Sequence, residues 1–346
     1  MTSLLETRYR RVLRMLPASY RARREEEMVD TYLQDFDEYE QDELRPAWRE
    51  VASIAALAVR TRTGGPGAAP RHVLAGAALR LFALMSVLLH GARELTDRAL
   101  SLAYVSGAPA DDRALFLGMF DGHDGVPSAV RAACLWLLPL CWVAAYAALL
   151  RERRRPALVL AVLAALPGLM PAVDWAAGLP VLIDGYDVAF AASGWLTVLA
   201  LGCAVHEDAP PARLPAVPPG LALMGVCVLM GGSLVVWPEG FDSVWSSGVA
   251  CVVAGVVWCA ARVRGAAADP AVPLALGLLT LLVLAERAGM LALLAESRVP
   301  ASLLYGAGAQ TAALAVLTVV LGVAGARLVR RGQGAYAAHG ERGALE

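Results

Sequence analysis

In "LLTLLVLAERAGMLALLAESR", residues 278–298, two ionisable residues, Glu286 and Arg287, stand side by side inside an otherwise apolar run. Charged side chains at membrane depth are costly and mark functional or structural sites by default. Adjacent residues on a helix do not face each other, so each needs a partner from another helix. Arg80, which interrupts the apolar run at 72–92, is the expected partner of Glu286, and Asp174 or Asp187 that of Arg287. Such a set can act as an interhelical lock, as a proton or substrate relay, or as a catalytic pair.

Other signatures of chemistry are missing. The chain has no G-x-x-x-x-G-K-[ST], H-E-x-x-H, G-x-S-x-G or C-x-x-C-H motif. The six cysteines, at 134, 141, 203, 227, 251 and 259, form no CxxC pair and lie inside apolar runs, as small hydrophobes do. Carboxylates collect in the loops assigned below to the outside: Asp111, Asp112, Asp121, Asp124, Asp174, Asp184, Asp187, Glu239 and Asp242, with His123 among them in the turn "DGHDG". Clustered oxygens suit hard cations. Acidic outer loops are also what remains when Arg is drawn to the inside. No metal, cofactor or catalytic residue is expected.

The elements that position these residues are membrane helices. Of 346 residues, 58% are hydrophobic and only 18% charged, against about 25% charged in soluble domains. Eight apolar runs are long enough to cross a hydrocarbon core of about 30 Å: 72–92, 130–150, 155–173, 187–206, 219–237, 245–263, 271–293 and 303–326. In lipid each backbone polar group must be satisfied within its own segment, so these runs are helices. Glu286 then lies about 22 Å up a helix starting at 271. The expected fold class is an all-α polytopic bundle. Arg clusters at 60–71, 151–155, 262–264 and 327–331 fall on one side with eight spans, which puts both termini in the cytoplasm. The longest outer loop is then 93–129. The absence of Lys and Asn points to a GC-rich bacterial source, and so to the inner membrane.

The first 71 residues differ, with twelve Arg and twelve acids. Leu5, Tyr9, Val12, Leu13 and Leu16 form one helical stripe, and Met28, Val29, Tyr32, Leu33 and Phe36 a second. A third has Leu44, Trp48, Val51, Ala55 and Ala58. Pro17 separates the first two helices, with Ser19 as the expected N-cap of the second. The second stripe is either a helix-packing face or a surface that docks a partner. Seven Arg between 8 and 24 precede ten acids between 25 and 43. These charges either pair locally or orient a basic end toward anionic lipid. The expected domains are a three-helix cytosolic prefix at 1–60, a Gly/Pro linker at 61–71, the bundle at 72–326 and a cytosolic tail at 327–346. Direct nucleic-acid binding is not expected, because the basic stretch is matched by acids.

"YRRVLRMLPASYRARREEEMVDTYLQDF" resembles the HAAS-type signalling domain and the permease-prefix domains of bacterial polytopic membrane proteins, over about residues 5–60. The resemblance implies a small cytosolic helical module that works with PadR-type transcription regulators or is fused to permeases. The expected function is therefore a non-enzymatic signalling or regulatory membrane protein whose prefix docks a cytosolic protein. The alternative is a small-molecule transporter or permease subunit. Few polar residues at mid-membrane and no clear pair of interrupted helices weigh against transport, although Pro167 and Pro171 come close.

Overall fold

The computed structural model describes residues 3–37, 44–65, 68–121, 126–206, 209–211, 213–214, 217–237, 242–266, 269–297 and 299–342. Most of the expected "DGHDG" turn, part of the acidic run and part of the Gly/Pro linker lie outside the described residues. The chain divides into two compact units, one of residues 1–80 with 202–211, the other of 81–201 with 212–346.

The first unit opens with three helices, α1 (Leu4–Leu13), α2 (Ala18–Leu33) and α3 (Trp48–Arg62). Ser3 caps α1 by accepting from the Glu6 N–H at 3.2 Å, the first half of an S-x-x-E box. Helix α2 starts at Ala18, directly after Pro17, so Ser19 is in its first turn and does not cap it. Leu5, Tyr9, Leu13 and Leu16 are buried with Val29, Ile54 and Ala58. Met28, Tyr32 and Leu33 pack against that core, and Phe36 leans on Tyr32 at 5.2 Å. The second stripe therefore faces inward. The third stripe is turned from its expected face: Ile54, Ala58 and Thr61 point in, while Trp48 is 81% exposed. Residues i, i+4 and i+7 share a face, and on α3 those three are the set that meets α1 and α2.

The basic and acidic runs pair with each other. Arg10 reaches Glu26 through both terminal nitrogens, at 2.9 and 2.7 Å, and Glu6 at 2.9 Å. These donors hold the Glu26 carboxyl below the usual carboxylate range. Arg21 and Arg24 lie at 3.6 and 3.8 Å from Glu25 and Glu27. Tyr9 stacks on Tyr32 at 4.0 Å and donates to Glu50 at 3.3 Å. Burial first, then the Glu50 charge, pushes the Tyr9 phenol well above its ordinary range. The folded-state pKa is raised, so this contribution to stability is intact below about pH 10 and is lost as the pH climbs beyond it. We expect the absorbance of ionised tyrosine at 295 nm, wild type minus Tyr9→Phe, to stay flat through pH 10 and to rise only with unfolding. A Tyr9 that titrates near pH 10 in the folded chain would contradict this burial.

Thr63, just past α3, is tied down within the same unit. Its hydroxyl donates to the Cys203 carbonyl at 2.9 Å, and its own carbonyl accepts from Arg80 at 3.2 Å. A side chain on Gly76 would fall on that same carbonyl. Arg80 sits on α4 (Pro70–Gly107), a single helix of 38 residues. At 1.5 Å per residue it is about 57 Å long, well beyond a hydrocarbon core. The first span therefore does not end at 92, and the expected outer loop begins as helix, followed by α5 (Ala110–Gly118).

The remaining helices build the second unit. The second crossing is α6 (Val126–Leu137), a 3-10 turn at Leu138–Leu140, and α7 (Cys141–Leu150). The third is α8 (Arg154–Ala165), a 3-10 turn at Leu166–Leu169, and α9 (Met170–Ala176). Then come α10 (Gly185–Ala204), α11 (Pro219–Val236), α12 (Trp245–Val263), α13 (Ala271–Glu296) and α14 (Ala301–Arg342). Among the described residues, eight helices or helix pairs are long and apolar enough to cross a membrane, and the protein is an all-α polytopic bundle. Helix α14 runs through the stretch expected as a tail up to Arg342. Val, Leu and Met side chains such as Val228, Val256 and Val319 point outward, as lipid-facing residues do, while Ser86, Ser193, Thr197 and Thr280 are buried. Small residues bring helices close. A side chain on Gly289 of α13 would come within 2.7 Å of the Gly185 backbone. Among the cysteines only Cys251 is fully buried, and Cys134 is exposed.

Candidate functional site

The structure brings together charges from distant parts of the chain, in pairs other than those expected. Glu286 accepts from Arg93 of α4 at 3.1 Å, and both side chains are buried. Arg93 also donates to the Tyr186 hydroxyl at 2.8 Å and lies over the Phe190 ring at 4.9 Å. Arg287 points elsewhere, as its neighbouring position on the helix requires. Its Nη1 binds both carboxylate oxygens of Asp242, Oδ1 at 2.6 Å, and its guanidinium lies 6.0 Å from the Trp245 ring centroid. Asp242 is held in turn by the Val244 N–H at 2.9 Å, a turn that opens α12.

The expected partners are engaged in other ways. Arg80 binds Thr63 and does not meet Glu286. Asp174 accepts from Arg131 at 2.5 Å, not from Arg287. Asp187 and Asp184 exchange hydrogen bonds with each other's backbone N–H, closing the first turn of α10. Sequence reasoning missed Arg93 because it closed the first span at 92. The signal was present: Arg93, Glu94, Asp97 and Arg98 sit at i, i+1, i+4 and i+5, the spacing of a charged helical face.

That face lines a partly open cavity of about 210 Å³ in the second unit. At roughly 30 Å³ per water it has room for about seven water molecules. Helix α4 contributes His90, Arg93, Glu94, Asp97 and Arg98. Opposite them stand Trp142 and Phe190, with small residues such as Ala165, Gly168 and Gly194 between. His90 stacks on Trp142 at 4.7 Å and lies 3.4 Å from the Thr197 hydroxyl, which meets Ser86 at 2.7 Å.

Two helix breaks complete the walls. Pro139 has no N–H, so the Leu135 carbonyl loses the donor it would meet four residues on. Arg98 supplies it, donating to Leu135 at 3.2 Å and to Trp136 at 3.0 Å while also pairing with Glu94 at 3.3 Å. Pro167 breaks the third crossing in the same way, and both prolines line the cavity. Partly open, partly aromatic and with a few fixed polar groups, the cavity has features of a small-molecule site. Among the described residues no three His, Cys, Asp or Glu side chains are grouped to hold a metal. No family model, no curated protein and no solved structure matches this chain.

Proposed function

We propose that the protein is a non-enzymatic regulatory protein of a bacterial inner membrane, with both termini in the cytoplasm. Its helix bundle binds a small molecule in the α4-lined cavity, and its prefix docks a cytosolic protein. The observation that carries this reading is the continuity of α4. The same helix holds Gly76 and Arg80, which grip Thr63 at the end of the prefix, and the cavity residues 90–98. The resemblance of residues 5–60 to signalling prefixes agrees with this. The docking surface is not the Met28–Phe36 stripe, which is spent on the prefix core.

A crosslinked pull-down from native membranes tests it, comparing the full chain with one lacking residues 1–66. The expected result is a cytosolic protein captured by the full chain alone. Equal capture by both chains, or none by either, would remove the docking role.

A second reading, a small-molecule transporter, is favoured by one observation. The second and third crossings are both broken at the cavity wall, and transporters commonly bind substrate at interrupted helices. Flux of a bound ligand into proteoliposomes separates the two readings. A ligand that binds and does not cross supports the regulatory protein.

A further inference from the structure

We propose that the α4-lined cavity takes a small organic ammonium, a primary or secondary amine carrying its proton, with the Asp97 carboxylate as counter-ion. This rests on the reading that the cavity is a small-molecule site, and adds the chemical class of its ligand.

The first argument is charge. Five ionisable groups form the cluster: the guanidinium groups of Arg93 and Arg98, and the carboxylates of Glu94, Asp97 and Glu286. Arg93 is committed to Glu286 and Tyr186. Arg98 is committed to Glu94 and to two backbone carbonyls. Asp97 is left over. It lines the cavity, and no cationic side chain among the described residues lies within ion-pair distance of it. Asp97 is half-buried, and its carboxylate on the cavity wall is the acceptor that a cationic ligand would meet. A ligand that brings one positive charge balances the cluster at three against three.

The second argument is shape and hydrogen bonding. A quaternary ammonium has no N–H and is recognised by open aromatic faces. Here the Trp142 face carries the His90 ring and the Phe190 face carries Arg93. What remains open is an acceptor, so the ligand must donate through N–H. A primary ammonium brings three such donors, as the lysine head group does. The volume admits on the order of seven non-hydrogen atoms. Ala164, Ala165, Ala191, Gly168 and Gly194 leave room for a short apolar substituent.

The test is calorimetry on the full-length protein in lipid nanodiscs at pH 7. The probes are ethylammonium and pyrrolidinium, with tetramethylammonium, sodium, acetate and ethanol beside them. Saturable binding of the first two alone is expected, with at least a ten-fold loss in Asp97→Asn and substantial retention in Asp97→Glu. A second variant leaves the charges alone. Gly194→Ala adds a methyl that meets Ala165 and Trp142 at 3.5 and 3.7 Å, ordinary contact distances. It should weaken pyrrolidinium more than ethylammonium. Equal binding of tetramethylammonium or sodium would overturn the N–H requirement. Binding of acetate or ethanol that ignores Asp97→Asn would overturn the ammonium class and keep the cavity as a ligand site. Binding of no probe, in a protein whose unliganded melting temperature is normal, would overturn both.

Discussion

Glu286→Leu is expected to lower stability by about 3–5 kcal/mol, the range for breaking a buried ion pair from one side. The loss comes from the partner left behind more than from the contact itself. Arg93 would keep the Tyr186 hydroxyl and the Phe190 ring, and its side chain is only 6% exposed. Neither of those neighbours carries a charge, and the carboxylates of Glu94 and Asp97, though in the same cluster, lie beyond ion-pair distance of the guanidinium. The double variant Arg93→Leu/Glu286→Leu removes both charges and should recover most of the loss, because paired deletion leaves nothing uncompensated. Thermal unfolding in detergent reads both. If the double variant falls as far as the single one, the two side chains matter through packing and not through their charges. The same logic separates structure from activity: Glu286→Gln should cost stability and leave ligand binding per folded molecule intact.

A second large effect is expected from Gly76→Ala. The new methyl group would collide with the Thr63 carbonyl, and backbone cannot step aside as a flexible side chain does. Overpacking of this kind costs roughly 1–3 kcal/mol. Relief requires Thr63 to move, which breaks its bonds to Arg80 and to Cys203. Maleimide labelling of Cys203, in a chain whose other five cysteines are replaced, should therefore speed up. Unchanged labelling together with unchanged stability would mean that Thr63 is not gripped.

What was legible in the sequence follows from how far each signal reaches along the chain. The eight crossings show because a bilayer demands long apolar runs, and the observed helices match the expected ones to within a few residues at most ends. The prefix core showed because Leu5, Tyr9 and Leu13 repeat within one helix. The pairing of the charges did not show. Arg93 and Glu286 are 193 positions apart, and helical periodicity carries nothing over that distance. The end of the first crossing was misplaced because four charges in six residues look water-facing until a partner from α13 is known. The broken second crossing was half visible: Pro139 is plain in the sequence, but not that Arg98 repairs the carbonyl it exposes.

Arg98 and Arg93 also stand at different moments in the chain's synthesis. The carbonyls that Arg98 satisfies emerge 37 and 38 residues after it, so that repair is available almost as soon as the second crossing enters the bilayer. Glu286 follows Arg93 by 193 residues, which at elongation rates of about 5–20 residues per second is roughly 10 to 40 s. Tyr186 arrives halfway through that interval and offers the guanidinium its first partner among those found in the finished fold. A nascent chain stalled before its seventh crossing thus holds Arg93 without the one carboxylate that pairs with it directly in the finished fold. The arrival of α13 closes that interval.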